Sequence, residues 1–367
     1  MSDLAGTGAF ASYVELSKTT QTLAPEFIKR VAFTDSMKTK VVKTLAPVLA
    51  GLEKATREQC DYPDRIQGAF DVDPDSPEWR LIGHALAWRI ASAVEAEDWA
   101  NAVSWTIVAT KFGFDLTQGD AQSATLGFAI VSDARKALAP ALERMPSQNL
   151  ASLSQGIVNA LSRFKGLAGT VEHEKTRMLY GVQFIQDCRK NKNYALIDDE
   201  LGRTVSQATT YLRDMDEKHR PEYFEGFARE ASAYADHWKT EVEKPRPERK
   251  AWEEPSGNRP WKRFSKAFCS SIEPLLDISD AAITKTRLLA INAWALSRSK
   301  STGQAPANLD GFKPIVKTDP FSGQAFIYSA SGSDFKVYSV GEDGKDDGGD
   351  ADGTSTGQDI VLESGSD

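Results

Sequence analysis

From Glu26 to about Ser299, apolar side chains return every three or four residues, with charged and amide side chains between them. That spacing places the apolar groups on one face of a helix, and it recurs in segment after segment. The first segment opens at Pro25 and runs from Glu26 to about Arg57, carried by Phe27, Val31, Val41, Leu45, Val48 and Leu52. Cys60-Asp61-Tyr62-Pro63 ends it, and a loop rich in Asp and Pro follows from Gly68 to Pro77. Ser76-Pro77-Glu78 then reads as an N-cap followed by proline at the first helical position, opening a helix through Trp79, Ile82, Leu86, Ile90 and Val94. The next helix begins near Asp98, and Gly113 is expected to break it. Further helices are predicted over about 120–142, 150–161, 169–189, 197–218 and 221–243, with a last block over 263–299. Between the last two, Val242 to Lys250 is charged and interrupted by Pro245 and Pro247, which predicts a linker or exposed excursion.

After residue 300 the periodicity changes. Two short aromatic and β-branched runs, Phe326 to Tyr328 and Phe335 to Val340, predict strands. A loop dense in Asp and Gly follows, and the apolar run resumes at Ile360-Val361-Leu362. The expected fold is mainly α, an antiparallel helical bundle or short α-solenoid, with a small C-terminal α+β module. Its organisation reads as a helical domain over 1–256, compatible with two subdomains that meet near 166–195. A helical block over 257–300 and an antiparallel β module over 301–367 complete it. No fixed period with a recurring signature marks a tandem-repeat array.

Composition changes this picture at one place. Hydrophobic residues make up 41% and charged residues 26%, as in ordinary soluble domains. Residues 301–367 hold 12 Asp and Glu against 4 Lys and Arg, which equals the whole net charge of −8 and leaves residues 1–300 balanced. The acidity therefore belongs to one end of the chain, and the basic footprint of a nucleic-acid binder is missing. No run approaches the roughly 18 apolar residues of a membrane span, and the first residues lack the basic and apolar regions of a signal peptide. Cys60, Cys188 and Cys269 have no paired spacing, which disfavours a zinc site or a disulfide framework and leaves one bridge plus an odd thiol open.

Crowded carboxylates repel unless they face water or a cation, so the Asp/Gly loop is either a solvated acidic tail or a cation site. Glycines let the backbone turn carbonyls inward, and the apolar run resuming at Ile360 favours a loop that folds. The loop is not an EF-hand: counted from Asp343 the third position is Lys345, and counted from Asp350 the sixth is Ser355 instead of Gly. Elsewhere the candidates are weaker. Trp79, Trp88, Trp99 and Trp105 on two adjacent helices read as core anchors before they read as a binding groove. His173-Glu174 lacks the second His of a zinc-protease helix, and Glu172, Glu174 and Lys175 are expected on a solvated face. His84, His219 and His237 have no partner at ligand spacing. Cys188 has Arg189 and Lys190 beside it, which would lower its pKa, but no His or Asn context marks it as a nucleophile. No nucleophile elbow, phosphate loop or dinucleotide fingerprint is present.

Several tail motifs together resemble the C-terminal region of the major pseudopilin of type II secretion systems, in the version that also ends a group of large, uncharacterised bacterial proteins. They are Asp319-Pro320-Phe321-Ser322-Gly323, Tyr338-Ser339-Val340-Gly341-Glu342-Asp343-Gly344, Asp346-Asp347-Gly348-Gly349 and Asp359-Ile360, preceded by Gly303, Pro306 and Leu309 after a long helix. The resemblance implies that the loop binds Ca2+. The implied ligands are the Asp343 carboxylate, Asp346 or Asp347, Asp359, and backbone oxygens near Ser339 and Val340. This chain departs from the family in lacking a hydrophobic N-terminal helix and in having Gly357 where the family has an acidic residue. The functional expectation is a non-enzymatic, extracytoplasmic binding or scaffold protein, associated with the envelope or secreted, with a protein or envelope component as partner. The alternatives are a hydrolase-type enzyme with a pocket among the helices, or an α-solenoid interaction platform with a disordered acidic tail.

Overall fold

The computed structural model describes residues 7–257, 259–269, 272–349 and 359–362. The chain is mainly helical with a small C-terminal α+β unit. It opens with strand β1 (Thr7–Gly8), which pairs antiparallel with β2 (Cys60–Asp61). Between them lies helix α1 (Ala9–Leu23), absent from the sequence reading because its buried face mixes Phe10 and Tyr13 with Ser17 and Thr20. The segment expected as one helix from Glu26 to Arg57 is three: α2 (Pro25–Ile28), α3 (Asp35–Thr44) and α4 (Ala46–Ala55). The Thr34 hydroxyl accepts from the Met37 N–H and so starts α3, while Pro47 in the first turn of α4 fixes the break at Leu45. Val31, expected on the apolar face, lies in the intervening loop and is 91% exposed.

The central layer is α5 (Ser76–Glu95), α6 (Trp99–Leu116), α7 (Ala121–Leu138) and α8 (Ser147–Leu161). The N-cap position of α5 is Asp75, not Ser76, whose buried hydroxyl makes no hydrogen bond. Gly113 does not break α6. It lies within the helix at the crossing with α7, where a Cβ would meet the Gly127 carbonyl oxygen at 2.5 Å, so the missing side chain serves close backbone approach.

The chain continues through α9 (Ala168–Lys190), α10 (Tyr194–Leu201), α11 (Ser206–Asp214), α12 (Arg220–Glu241) and α13 (Lys262–Phe268). It then enters α14 (Ile272–Thr302), whose 31 residues span about 46 Å. Its second half is buried nearly all round, with Leu288, Leu289, Ile291 and Ala293 enclosed, and it packs against α7 and α8. A helix that returns from so far along the chain to sit beside α7 and α8 closes a bundle, whereas solenoid units contact only sequence neighbours.

Two apolar cores result. The larger unites α1–α8, the first half of α9, the second half of α12 and α14. The smaller holds Val182, Ile185, Ile197, Leu212, Phe224, Phe227 and Phe264. Helix α9 feeds both, with Val171 and Met178 in the larger and Val182 and Ile185 in the smaller.

The Val242–Lys250 segment is not a free linker. Arg249 makes a two-pronged ion pair with Asp280 of α14 at 2.6 and 2.8 Å, and Arg246 lies over the Phe321 ring and donates its N–H to the Pro320 carbonyl. After α14 come α15 (Pro314–Lys317) and the hairpin β3 (Ile327–Ser331) and β4 (Asp334–Tyr338). The hairpin turn is Gly332-Ser333, with Ser331 opposite Asp334 and Gly332 at φ +61°, as a right-twisted hairpin requires.

Candidate metal centre

The tail is fixed to the bundle before the acidic loop begins. Leu309, Val316, Phe326 and Val337 are buried in the larger core, and the Trp294 and Phe312 rings meet edge to face at 5.0 Å. Asp319 organises the Asp319–Gly323 turn. Its Oδ1 accepts from the Phe321 N–H at 3.0 Å, its Oδ2 from the Ser322 hydroxyl at 3.2 Å, and its carbonyl from the Gly323 N–H at 2.8 Å. The same Oδ1 accepts from the Ser339 hydroxyl at 2.8 Å, which ties this turn to the end of β4.

Ser339 is fully buried and exchanges both backbone hydrogen bonds with Ile360, at 3.0 and 2.8 Å. This single antiparallel bridge closes the loop that starts at Val340, and Asp359 stands beside it. Asp359 is 4% exposed, its Oδ2 accepts from the Gly349 N–H at 2.6 Å, and its Oδ1 is buried without a hydrogen-bond partner. Burial raises its pKa and the Gly349 and Asp347 N–H groups oppose the rise; the charges of Asp346 and Asp347 add to it. Asp346 is positioned by β4: the Tyr338 hydroxyl donates to its Oδ1 at 2.8 Å, and the Gly348 N–H donates at 3.0 Å. These two donors hold the Asp346 carboxyl below its ordinary range. The Lys336 ammonium donates to the Gly348 carbonyl.

Asp346 and Asp347 are thus the acidic residues whose charges act on Asp359. Asp343 is turned elsewhere, accepting from the Lys345 N–H at 3.1 Å with the Lys345 ammonium 4.0 Å from its other oxygen. Val340 is buried next to Ser339 at the mouth of the loop, and the Ser339 carbonyl already accepts from Ile360. Among the described residues, no three or more His, Cys, Asp or Glu side chains are gathered closely enough to hold a metal ion. The middle of the loop, 350–358, which includes Asp350, Ser355 and Gly357, lies outside the described residues. The donor set is entirely oxygen, which suits a hard cation, and a buried carboxylate oxygen with no partner is the kind of group a cation satisfies. Two contributors belong to the tail motifs but were not among the expected ligands: the Tyr338 hydroxyl orients Asp346, and Asp319 anchors Ser339.

No protein-family model, curated protein or solved structure matches this chain.

The other candidate residues serve packing. Trp79 is fully buried and Trp105 nearly so, while Trp88 and Trp99 are half-buried. Glu174 is not on a solvated face: it is 2% exposed, accepts from the Ala121 N–H at the start of α7, and pairs with Arg177 at 3.6 Å. An unpaired helix N–H inside the bundle selects a carboxylate there, and only tertiary structure reveals it. The Cys188 thiol is raised rather than lowered, by burial and then by the neighbouring Asp187 charge, because Arg189 turns away to Glu217 and to the Leu212 and Met215 carbonyls. All three cysteines are free thiols. His173 faces Asp64 at 3.3 Å, His84 stacks on Trp88, His219 meets Asp216, and His237 reaches the Lys250 carbonyl.

Proposed function

We propose that the chain is a non-enzymatic, extracytoplasmic binding or scaffold protein whose pseudopilin-like C-terminal module is ordered by Ca2+. The observation that carries this reading is Asp359, a buried carboxylate with one orphaned oxygen, next to Asp346 and Asp347 on a loop pinned at both ends. Calcium would be held by Asp359 with Asp346 or Asp347, and Asp343 and backbone oxygens near Ser339 and Val340 would have to turn inward to complete the shell. Its role there is structural: it neutralises like charges that otherwise repel across the loop. Weak oxygen sites of this kind fill at the millimolar calcium found outside cells, which supports an extracytoplasmic setting. None of the described helices is long and apolar enough to cross a membrane. The partner is proposed to be a protein or envelope component, since residues 1–300 carry no net positive charge to favour nucleic acid.

The hydrolase alternative has less support. Among the described residues the buried carboxylates Asp115, Asp280 and Glu230 are engaged by Arg163, Arg249 and Arg259, and no cysteine is hydrogen-bonded to a histidine. The test is thermal melting in millimolar calcium, in magnesium and in chelator. Binding to the folded state alone stabilises by about 2.7 kcal/mol at a hundredfold excess over Kd. Calcium is expected to raise the midpoint in the natural chain and not in Asp359→Asn. Superimposable curves in calcium and chelator would remove the metal from the proposal.

A further inference from the structure

A cavity of about 530 Å³ lies where the bundle, the 242–250 segment and the tail meet. One wall is apolar, made by Phe164, Leu167, Val242 and Ile283. Pro314, Ile315, Thr318 and Pro320 also line it, and Ile315 is 60% exposed. Volume and lining fall within the range of small-molecule sites, which pair an apolar body with a few polar groups.

The polar groups are unequally satisfied. Asp280 and Arg249 neutralise each other across the two-pronged ion pair, and Lys244 is paired with Glu241. Arg287, one α14 turn beyond Ile283, has no such partner. Its Nη1 donates to the Thr318 carbonyl at 2.6 Å, its Nε is buried with no acceptor, and it forms no ion pair with a carboxylate. Burial pulls its pKa down to about 10, against the more distant Asp319 and Asp280 charges. Lys165, on the same cavity, donates only to the Cys60 carbonyl at 3.1 Å. Among the described residues neither cation makes a direct ion pair with a carboxylate, although Asp319 and Asp280 act on Arg287 and Asp115 interacts with Lys165 from further off, and the exposed Glu243 lines the same cavity. A guanidinium kept largely from water without an anion is costly, and a ligand carrying one negative charge removes that cost.

We propose that this cavity binds a small monocarboxylate with an apolar body, the carboxylate received by Arg287 and Lys165 and the body lying on Leu167, Val242 and Ile283. With Glu243 and Asp280 also in the lining, a monoanion is favoured over a dianionic phosphate. None of the residues lining the site belongs to the acidic loop.

The test is calorimetric titration of the full chain with octanoate at fixed calcium, with octanol and octyl phosphate as comparison probes. Saturable one-to-one binding of octanoate, absent for octanol and weaker for octyl phosphate, is expected. Arg287→Gln should weaken octanoate by at least about tenfold, as should Ile315→Glu, which adds a negative charge at an exposed position and leaves the core untouched. Circular dichroism and melting establish that each variant is folded. No saturable binding at millimolar octanoate, or undiminished binding by folded Arg287→Gln and Ile315→Glu, overturns the proposal. Tighter binding of octyl phosphate overturns the assignment of a single charge.

Discussion

Replacing Arg163 with Met tests how the larger core holds a charge. Asp115 on α6 is 1% exposed. Its carboxylate accepts from Arg163 Nε at 2.9 Å and Nη2 at 2.6 Å, and from the Tyr13 hydroxyl of α1 at 2.6 Å. The same guanidinium donates to the Glu58 carbonyl at 2.5 Å and the Thr56 carbonyl at 3.4 Å, so α1, the end of α4, α6 and the end of α8 meet at one ion pair. Arg163→Met keeps an unbranched apolar stem and removes every donor. Asp115 is then left buried with Tyr13 alone, and breaking a buried pair from one side costs about 3–5 kcal/mol. Against a total stability of about 5–15 kcal/mol that is a large fraction.

The dependence on pH separates this mechanism from a packing defect. Burial raises the Asp115 pKa, while Arg163 and Tyr13 lower it without cancelling the rise. A carboxyl whose folded pKa lies above its unfolded value favours folding at low pH, and that contribution fades as pH climbs through the folded pKa. Removing Arg163 moves the folded pKa higher still. The loss from Arg163→Met should therefore be largest at pH 8 and shrink towards pH 5, because the raised pKa brings protonation of Asp115 closer. Urea titrations followed by tryptophan fluorescence at both pH values measure it, since Trp79 and Trp105 are in this core. Adding Asp115→Asn in the Arg163→Met background should recover stability, with a coupling of about 1–3 kcal/mol. A loss below about 1 kcal/mol at pH 8, the range of surface pairs, would refute the reasoning. So would a loss that does not change between the two pH values.

Gly127→Ala pushes a methyl group into the Gly113 carbonyl at the α6–α7 crossing and should cost about 1–3 kcal/mol by thermal melting; an unchanged midpoint would mean that the helices part freely. Phe264→Ala removes a fully buried ring from the smaller core and should cost about 3–5 kcal/mol, with hydrogen exchange rising first over α11–α13 and not over α6. The three thiols should react slowly with a thiol reagent at pH 8 in the native chain and quickly after denaturation, because burial raises all three and holds Cys269 at about 12. Fast native labelling of Cys188 would show that Arg189 and Lys190 govern it after all.

The sequence made the helices legible wherever large apolar residues recur, as in α5–α9 and α12, and it made the β hairpin legible from its aromatic runs. It misled where the cause is tertiary. The buried face of α1 is partly Ser and Thr, whose hydroxyls bond back to the helix, as Thr20 does to the Leu16 carbonyl at 2.8 Å, so no apolar period appears. Gly113 looked like a breaker because nothing in its own segment records the Gly127 backbone that excludes a side chain. Glu174 looked solvated because its partners, the Ala121 N–H and Arg177, are brought to it by the start of α7 and by its own helix turn. In the tail, spacing located the acidic residues but not their directions. Asp346 is aimed by Tyr338, whereas Asp343, equally prominent in sequence, folds onto Lys345.

The charge asymmetry takes on a different meaning once the tail is seen against the bundle. A net charge of −8 confined to residues 301–367 would ordinarily mark a solvated end that repels itself and stays apart. Here the residues flanking the loop are committed to the core. Val337 and Phe326 pack into it, Ser339 is held by Asp319, and the Asp319–Gly323 turn is gripped by Arg246 and by Arg287 of α14 at Thr318. Repulsion within the loop is therefore not relieved by local fraying alone, because opening the Ser339–Ile360 bridge also releases groups that cover α14. Neutralising the loop would then stabilise the bundle and not merely its end. Calcium, if it fills the site, should slow hydrogen exchange in α14 as well as in β4. Protection confined to the loop would show that the acidic end and the bundle are energetically separate.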